Sequence, residues 1–497
     1  MLDQSFSSSN LIILFLRENR KGNFNKSYFT PEYTAKHQEF KSLVREKILL
    51  KKEKAKLSKE ELDDFAKRLE IINNEKEEIR ISIFEDLSKA INLNTFKFNI
   101  EYNNKKEVYT VENDAASYYA IKQLQTNISK TFKVIQADRN RIIKQLFNIL
   151  SDGFPKVVIK TDIKSFYESI PQDKLFDKIE DNTLLSPFSK KLLRKLFYEF
   201  EDKKDKTIIE PQKGIPRGIG LSAYLSELYM RDIDNSIKSL QDVIYYARYV
   251  DDIIIIFSPK TTSTKGKYLE EIKKIICNNN SLSLKDGTDG KENKTFEIDL
   301  MSRVSYNESF NFLGYLFQIK RAETMVLGKK KVDFQVLLEI SDNKIERYKK
   351  RLKLLVDAYN QDSIYNEKEA RNMLYARLKF LTGNFHLNNN KRNVKSGIYY
   401  SNEMLKLNTI TYESLKRLDK ERMKAVKSLQ PPPKIGIKKT NIILHILNNF
   451  SFQKGFNQKE KYFYSFTFGD RENKFYSKKF KRSTNKFEVI KSIWKDE

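Results

Sequence analysis

The spacing of apolar residues changes several times along this 497-residue chain. Residues 33–92 place apolar side chains at helical spacing in a highly charged background, which predicts a solvated helical pair with one apolar face. Residues 95–111 alternate between apolar and polar positions, which predicts a hairpin that turns at Asn103 and Asn104. Between residues 118 and 320 helical and strand patterns interleave, so the middle of the chain is predicted to be an α+β core.

The pattern becomes mainly helical again in the last third of the chain. Residues 344–359 form one apolar stripe surrounded by basic residues, and residues 367–381 predict a second helix. Three prolines at 431–433 break any helix and predict a stiff linker. Residues 434–497 carry 15 Lys and Arg against 6 Asp and Glu, interleaved with aromatic residues. They predict either a surface that binds RNA by stacking or a small β-rich module that packs its aromatics internally or against a second subunit.

The charge of the whole chain indicates a polyanionic partner. The chain has 93 Lys and Arg against 66 Asp and Glu, a formal net charge of +27, and 39% of its residues are hydrophobic. That hydrophobic content is too high for a disordered chain. Because 12% of the residues are aromatic, unpaired bases would find flat faces to stack on. Nucleic acid is therefore the predicted partner.

Cysteine and histidine are too scarce for most metal sites. The single cysteine, Cys277, excludes an intramolecular disulfide and a cysteine-based zinc site, and three histidines argue against a histidine-rich site. Any metal must then be held by carboxylates. The apolar run at 11–16 is too short to span a bilayer and has no small-residue cleavage site after it. We expect a soluble protein in a reducing cytoplasm.

Two adjacent acids stand between two β-prone runs. Residues 243–257 read as a pair of strands hinged on the tetrapeptide Tyr249–Asp252. Like charges at the spacing of Asp251 and Asp252 repel each other and lose hydration, so a structure that keeps both is expected to supply a cation. The alternative is an ordinary hairpin whose turn happens to contain two aspartates.

A third acid and a Gly-rich loop precede the hairpin. Asp162 ends a predicted buried strand, where it could join a metal site or be an ordinary surface aspartate. Ser169 and Pro171 then predict the start of a helix, with Ser169 as the N-cap. The loop 214–220 contains three of the chain's 15 glycines just before another predicted helix. It could hold a phosphate, seat a base pair or be a plain loop.

The order and spacing of these elements resemble the palm of reverse transcriptases. In that family Asp162, the Gly-rich loop and the hairpin acids correspond to motifs A, B and C, and Tyr249–Asp252 is the Tyr-x-Asp-Asp box. Three weaker matches occur in the right order, namely the fingers segment Ala137–Ile143, motif D in Leu282–Leu284 with Lys294–Thr295, and motif E in Phe312–Tyr315. The resemblance covers about residues 118–320.

The resemblance implies an α+β right-hand polymerase with fingers, palm and thumb. We expect an antiparallel-sheet palm, a helical N-terminal insertion, a helical thumb and a small C-terminal domain. The expected segments are an N-terminal extension with the helical and hairpin fingers region at 1–117, reverse transcriptase fingers and palm at 118–330, a helical thumb at 331–430 and a basic aromatic module at 431–497.

The resemblance also implies an RNA-directed DNA polymerase that extends a DNA 3′ end from dNTPs with two Mg²⁺ ions, for which Mn²⁺ is a possible substitute. Asp162 and Asp251 would bridge the ions and Asp252 would support them, with Ile163 also among the metal-binding residues. Tyr167 matches the family's steric gate, which favours dNTPs. The remaining assignments are Phe166, Arg217, Gly218, Lys294, Lys133, Arg139 and Arg141 at the nucleotide, Leu313 and Gly314 as the primer grip, and Arg347, Lys350 and Arg351 on nucleic acid between thumb and palm.

Within the family, two features resemble bacterial abortive-infection and defence-associated reverse transcriptases. Pro216–Gly218 departs from the usual Pro-Gln-Gly, and residues 222–230 have the form found in that group. The opening residues 1–7 together with Asn19–Gly22 resemble the first component of the type 3 defence system. This implies phage defence in the bacterial cytoplasm with a non-coding RNA as template, a second reverse transcriptase as partner, a hetero- or homo-oligomeric assembly and no membrane.

Other functions remain open from the sequence. One is a template-independent or protein-primed DNA polymerase of an abortive-infection system, and another is a non-catalytic RNA-binding scaffold. Maturases often carry a Cys-rich endonuclease, which a single cysteine excludes, and the Val-Thr-Gly signature of retron enzymes is not found. RNA-dependent RNA polymerases more often have Gly-Asp-Asp at the hairpin.

Overall fold

The computed structural model describes most of the chain, and its contacts divide it into two compact units. Unit 1 comprises residues 1–137 and 159–297, and unit 2 comprises residues 138–158 and 298–497. The described residues are 2–21, 25–52, 59–111, 113–205, 209–259, 267–278, 282–287, 293–301, 306–326, 329–387, 394–408, 412–431, 438–466 and 486–494.

Helices and strands alternate through both units. The helices are α1 Ser8–Arg20, α2 Pro31–Lys52, α3 Lys59–Asn92, α4 Ala115–Thr131, α5 Arg139–Leu150, α6 Phe166–Ser169, α7 Gln172–Glu180, α8 Pro187–Lys203, α9 Ser222–Lys238, α10 Lys267–Lys273, α11 Asp342–Thr382, α12 Ile398–Ser401, α13 Glu413–Lys427, α14 Lys439–Asn449, α15 Phe452–Asn457 and α16 Lys486–Lys491. The strands are β1 Glu101–Asn103, β2 Val108–Thr110, β3 Val157–Asp162, β4 Val243–Tyr249, β5 Asp252–Phe257, β6 Phe296–Asp299, β7 Tyr306–Phe312, β8 Tyr315–Val326, β9 Lys329–Ile340, β10 Asn384–His386, β11 Lys395–Gly397 and β12 Phe463–Tyr464.

A four-stranded sheet in the order β4-β5-β3-β6 forms the centre of unit 1. All six residues of β3 are buried, and so are Ile253–Phe257 in β5, because these apolar runs lie between covered faces. Helix α9 packs against β4 and against α4 and α7. The predicted hairpin around the adjacent acids is confirmed as the antiparallel pair β4–β5.

The N-terminal part of unit 1 is helical, as the sequence predicts for residues 33–92. Helix α2 packs on α3, and α1 packs on α3 and α4. The predicted hairpin at 95–111 is shorter than expected, since only β1 and β2 pair. The reason lies in α8, whose Lys195 and Lys203 donate hydrogen bonds to the carbonyls of Phe96 and Ile100, so this stretch needs no partner strand.

The expected N-cap at Ser169 is wrong. Helix α7 begins at Gln172 with Pro171 at the N-cap position, and no side chain caps it. Ser169 instead ends the short helix α6, and its hydroxyl donates to the carbonyl of Phe166 at 3.2 Å. The sequence pattern therefore placed the start of α7 too early, at the residue that ends α6.

Unit 2 is built on the antiparallel sheet β7-β8-β9 and the long helix α11. The two helices predicted at 344–359 and 367–381 are confirmed as the two parts of α11, which bends where Asn366 leaves helical geometry (φ −150°, ψ 89°). A second sheet has the order β11-β10-β12, so a strand from the chain after the prolines pairs with β10. Of the three prolines, Pro432 and Pro433 lie outside the described residues.

The aromatic residues described beyond the prolines are mostly buried in unit 2. Phe452, Phe456 and Trp494 are each less than a tenth exposed, and α15 packs on α11 and α13. These rings therefore do not offer open faces for bases, and the described part of the segment is mainly helical, not β-rich. Phe468, Phe475, Tyr476 and Phe480 lie outside the described residues.

Hydropathy along the described helices gives no candidate for a membrane crossing. Each is either too short or too polar for that role.

Candidate active site

The turn between β4 and β5 presents the two adjacent acids. Tyr249 pairs with Asp252, which leaves Val250 and Asp251 as a two-residue turn. Val250 has φ of 61°, a left-handed conformation that a β-branched residue rarely adopts. The backbone N–H of Ile163, next to the end of β3, donates to the carbonyl of Asp251 at 3.1 Å. The tip of the hairpin is thus attached directly to β3.

Asp162 is the last residue of β3 and is only 5% exposed. The Lys285 ammonium forms an ion pair with its carboxylate and lies 3.8 Å from Oδ2 of Asp251. The backbone N–H of Lys285 also donates to the carbonyl of Asp162 at 2.9 Å. One cation therefore contacts acids from two strands that are far apart in sequence. Sequence reasoning missed Lys285, because a lysine after a short apolar run carries no local signal of this contact.

The carboxylates of this cluster are held in an environment that opposes their charge. Burial raises the pKa of Asp252 to about 6, and the charges of Asp162 and Asp251 add to this rise. The Lys160 ammonium, 4.0 Å from the Asp252 carboxylate, and Lys294 act in the opposite direction without cancelling the rise. Burial and the charge of Asp162 likewise raise the pKa of Asp251. Burial therefore disfavours the charged form of these carboxylates, and a bound cation would favour it.

The donor set of this cluster fits a divalent metal. Carboxylate oxygens are the ligands that Mg²⁺ prefers. The Lys285 ammonium lies between Asp162 and Asp251, at a position where one cation reaches both. Within the described residues, no three His, Cys, Asp or Glu side chains have their donor atoms already gathered around one point. The lysine thus stands in for a cation that the carboxylates are able to hold.

Tyr167 lies in α6 beside the acids. Its hydroxyl lies near the side chain of Ser226 in α9. Burial raises the pKa of Tyr167, and the charges of Asp251 and Glu227 also raise it. Phe166 is buried next to it, with the two ring centres 5.3 Å apart. The ring of Tyr167 is therefore held between α9 and the acidic cluster.

The Gly-rich loop is docked on two neighbours. The N–H of Ile215 donates to the carbonyl of Tyr167 at 2.8 Å, and the N–H of Tyr109 in β2 donates to the carbonyl of Arg217 at 2.7 Å. Gly218 has φ of 98°, and a Cβ at this position would lie 2.6 Å from Cβ of Val108. Only glycine fits there, because both its backbone angle and the approach of β2 exclude a side chain.

The other predicted residues of unit 1 have different surroundings. The charge of Lys294 lowers the pKa of Asp251 and Asp252, so this lysine lies near the acids as expected. The guanidinium of Arg217 is half-exposed and lies 3.9 Å from Glu168. Lys133 lines a cavity of about 820 Å³ together with the N-terminal residues Leu2–Phe6. Its predicted contact with a triphosphate stays a prediction.

In unit 2 the predicted primer grip is the tight turn between β7 and β8. Leu313 and Gly314 both have positive φ, 47° and 77°. Arg139 at the start of α5 donates from Nε and Nη2 to the carbonyl of Leu313, at 2.9 and 2.6 Å. Its guanidinium also lies over the ring of Tyr315. The sequence assigned Arg139 to the nucleotide, but in the structure its planar fork fixes this turn.

Basic side chains of α11 and α5 complete the assignments in unit 2. Arg141 in α5 and Arg347 and Lys350 in α11 are exposed, as contacts with a phosphate backbone require. Arg351 is less available, because Trp494 lies over its guanidinium and donates from Nε1 to its carbonyl at 3.3 Å. Arg347 and Lys350 are therefore better placed for nucleic acid than Arg351.

Lys344 gives unit 2 an expected dependence on pH. Its ammonium donates to Ser401 and Asn402, and burial, with the charges of Arg139 and Arg347, lowers its pKa from 10.5 to about 7. Between about pH 7 and 10.5 the unfolded state therefore binds more protons, so the free energy of unfolding should rise with pH in that window. Lys344→Met should remove this rise, roughly a few kcal/mol.

Denaturation of the wild type and Lys344→Met at pH 6, 8 and 10 measures this effect. The fluorescence of Trp494, the single tryptophan of the chain, reports on unit 2. Lys353→Met, at an exposed position in α11, serves as the control and should keep the wild-type slope. Equal slopes for wild type and Lys344→Met would contradict the prediction.

Comparison with known proteins gives a family match for part of the chain. Residues 108–317 match the family described as reverse transcriptase (RNA-dependent DNA polymerase). This segment contains the acids, Tyr167 and the Gly-rich loop, and its match indicates the reverse transcriptase domain of an RNA-directed DNA polymerase, a nucleotidyltransferase. No curated protein matches the chain in sequence.

Three solved telomerases are among the similar structures. Apo telomerase from Candida tropicalis, truncated from its C-terminal domain, is 17% identical with a TM-score of 0.28, over 44% of this chain and 45% of that one. The telomerases of Candida albicans and Candida tropicalis, each in complex with a fragment of telomeric RNA, are 11% and 15% identical with TM-scores of 0.30 and 0.28. In both cases the match covers 76% of this chain and 56% of the other. The chain thus spans about half the length of these telomerases.

Proposed function

We propose that this chain, whose residues 108–317 form a reverse transcriptase domain, is an RNA-directed DNA polymerase that extends a DNA 3′ end from dNTPs on a bound RNA. One observation supports the proposal above all others. Asp162, Asp251 and Asp252 come together at the end of a buried sheet, and a single ammonium contacts two of them. Carboxylates brought together from two parts of the chain are the donor set that two-metal phosphoryl transfer uses.

In this proposal Asp162 and Asp251 would hold two Mg²⁺ ions, with Asp252 and Ile163 beside them and Mn²⁺ as a possible substitute. When bound, the metals supply activation of the primer hydroxyl and neutralisation of the triphosphate. The chain keeps the acids in place through the backbone bond from Ile163 to Asp251 and through Lys285.

The nucleotide is proposed to bind beside the gate tyrosine. Arg217 and Gly218 would lie near the incoming nucleotide and the template base, and Lys294 would protonate or screen the leaving pyrophosphate. Tyr167 would occupy the space of a ribose 2′-hydroxyl, and its ring packs beside the buried ring of Phe166. The described contacts of the Gly-rich loop with Tyr167 and β2 support this arrangement.

The narrower proposal is a role in phage defence within the bacterial cytoplasm. Its support is the sequence of residues 222–230 and the resemblance of the opening residues to the type 3 defence system. The template would be a non-coding RNA, which suits a chain with a net charge of +27. A second reverse transcriptase subunit is the proposed protein partner.

Labelled-dNTP incorporation by the purified protein tests the proposal. The protein is assayed with and without prior RNase, the product is sequenced, and Asp251→Asn is the blank. RNase-sensitive synthesis of a defined or repetitive sequence would support a bound RNA template. RNase-resistant product of low complexity would support the template-independent alternative, and label that stays with protein after denaturation would support protein priming. No incorporation above the blank would favour the scaffold function.

Tyr167→Ala should admit rNTPs. Removing the ring opens the space where a 2′-hydroxyl would lie, so the preference for dNTP over rNTP should fall about 100-fold, the scale on which pocket shape discriminates between substrates. Tyr167→Phe keeps the ring and should keep most of the preference. Single-turnover kinetics of dNTP and rNTP incorporation measure this preference. Tyr198→Ala, at an exposed tyrosine of the same unit, is the control. Unchanged sugar selectivity in Tyr167→Ala would count against the gate.

A further inference from the structure

Arg248, two residues before the acidic turn, uses all five of its N–H donors. Nε and Nη2 donate to the Asp234 carboxylate at 2.9 Å each, and Nη1 and Nη2 donate to the Glu227 carboxylate at 3.0 and 2.7 Å. The fifth bond runs from Nη1 to the backbone carbonyl of Val250 at 3.1 Å. Both acids belong to α9, so one guanidinium joins this helix to the turn.

The environment of Arg248 makes this link rigid. The residue is 7% exposed, and paired acids offset the cost of burying its guanidinium charge. Tyr246 donates from its hydroxyl to Asp234 at 2.6 Å, which holds that carboxylate in place. The planar fork of arginine fixes direction as well as distance, whereas lysine offers one rotating ammonium.

The turn that Arg248 holds is strained. Val250 has φ of 61°, a conformation that is strained for a β-branched residue. It persists where the surroundings determine it from several sides. Two bonds do so here, from Arg248 to the carbonyl of Val250 and from Ile163 to the carbonyl of Asp251.

We propose that Arg248 is a positioning residue that holds the strained turn, through Glu227 and Asp234 of α9, so that the Asp251 carboxylate faces Asp162. The inference rests on the proposed function and goes beyond it, because it assigns the geometry of the acids to a residue that touches neither nucleotide nor metal. Helix α9 then contributes to the geometry of the site, since its Glu227 and Asp234 hold Arg248.

Arg248→Lys is the first variant for the test, because it keeps the positive charge and loses the fork. We expect kcat for dNTP incorporation to fall about 100-fold, the cost of a small misplacement of reacting groups, while KM for dNTP changes less than twofold. Binding of Mn²⁺ to the free protein, followed by electron paramagnetic resonance, should weaken about tenfold. Arg194→Lys, at an exposed arginine paired with Glu180, is the matched control and should change neither value.

A second substitution separates the holding of the turn from general stability. Glycine adopts positive φ without strain, so Val250→Gly should let the turn form with less support. In the double variant Arg248→Lys with Val250→Gly, we expect most of the loss in Mn²⁺ affinity and in kcat to be restored, when each loss is measured on a logarithmic scale. A role in stability alone would lower the melting temperature, leave both values unchanged well below it, and show no such recovery.

The outcomes decide between these roles. The proposal would be overturned if Arg248→Lys folds and its kcat and Mn²⁺ affinity stay within twofold of the wild type. It would also be overturned if Arg248→Lys loses activity and Mn²⁺ affinity but the added Val250→Gly substitution does not restore them. If Arg248→Lys fails to fold, Glu227→Gln replaces it, because Asp234 still pairs with Arg248, and the same recovery is required. If the wild type incorporates no dNTP, the proposed function fails, while the Mn²⁺ titrations still decide the role of Arg248.

Discussion

Asp251→Asn is expected to lower dNTP incorporation about a thousandfold or more. The substitution replaces a charged carboxylate oxygen by an amide and removes one of the two acids that the Lys285 ammonium contacts. Losing a ligand that both ions would share costs several kcal/mol of transition-state stabilisation, and each 1.4 kcal/mol or so is a factor of ten in rate. Asp162→Asn should have an effect of the same size for the same reason.

The same substitution should leave the fold intact. Burial and the charge of Asp162 raise the pKa of Asp251, so the folded protein holds this charge against its surroundings. Removing it should leave the melting temperature equal to or above that of the wild type. Asp232→Asn, at an exposed acid of α9 paired with Lys178, is the matched control and should keep wild-type incorporation. Asp251→Asn that retained most of the activity would show that the assignment of the acids is wrong.

Gly218→Ala is expected to destabilise unit 1 by roughly 2–4 kcal/mol and to lower incorporation at least tenfold. An added Cβ would lie 2.6 Å from Cβ of Val108 and 2.8 Å from the carbonyl oxygen of Tyr109, so β2 must move away. That movement would break the bond from the N–H of Tyr109 to the carbonyl of Arg217 and turn Arg217 away from its present position. The φ of 98° adds strain for any residue other than glycine.

Gly220 provides a control two residues further along the same loop. A Cβ on Gly220 would meet only the end of the flexible Gln125 side chain, at 3.4 Å. Gly220→Ala should therefore change the free energy of unfolding by less than about 0.5 kcal/mol. Chemical denaturation of both variants measures the difference. Equal stability of the two variants would contradict the steric account of the loop.

The order of the acids and the loop could be predicted because each element carries a local signal. Runs of β-branched residues predicted the buried strands β3 and β5. The acids lie where these runs end, which placed them at the strand ends. Glycine that is scarce elsewhere and dense at 214–220 marked the loop, and Gly218 has the close approach that this density indicated. The two parts of α11 followed from the helical patterns at 344–359 and 367–381, but the bend at Asn366 that joins them was not predicted.

Other parts of the structure had no local signal. Lys285, Arg139 and Arg248 look like ordinary members of a chain with 93 basic residues, and composition does not tell which of them meets an acid or a carbonyl. The short stretch at 96–100 looked like a strand, yet lysines of α8 satisfy its carbonyls. The aromatic residues after the prolines looked available for bases, yet the described ones are mostly buried in unit 2.

The sequence by itself determined the family resemblance, the strand ends that carry the acids and the glycine that the loop requires. These features depend on residues that are neighbours along the chain, where period and turn chemistry act. Only the tertiary structure decided that Lys285 bridges Asp162 and Asp251 and that Arg248 holds the strained turn. Those contacts join residues distant in sequence, and a flexible basic side chain acquires its partner only when packing brings the two together.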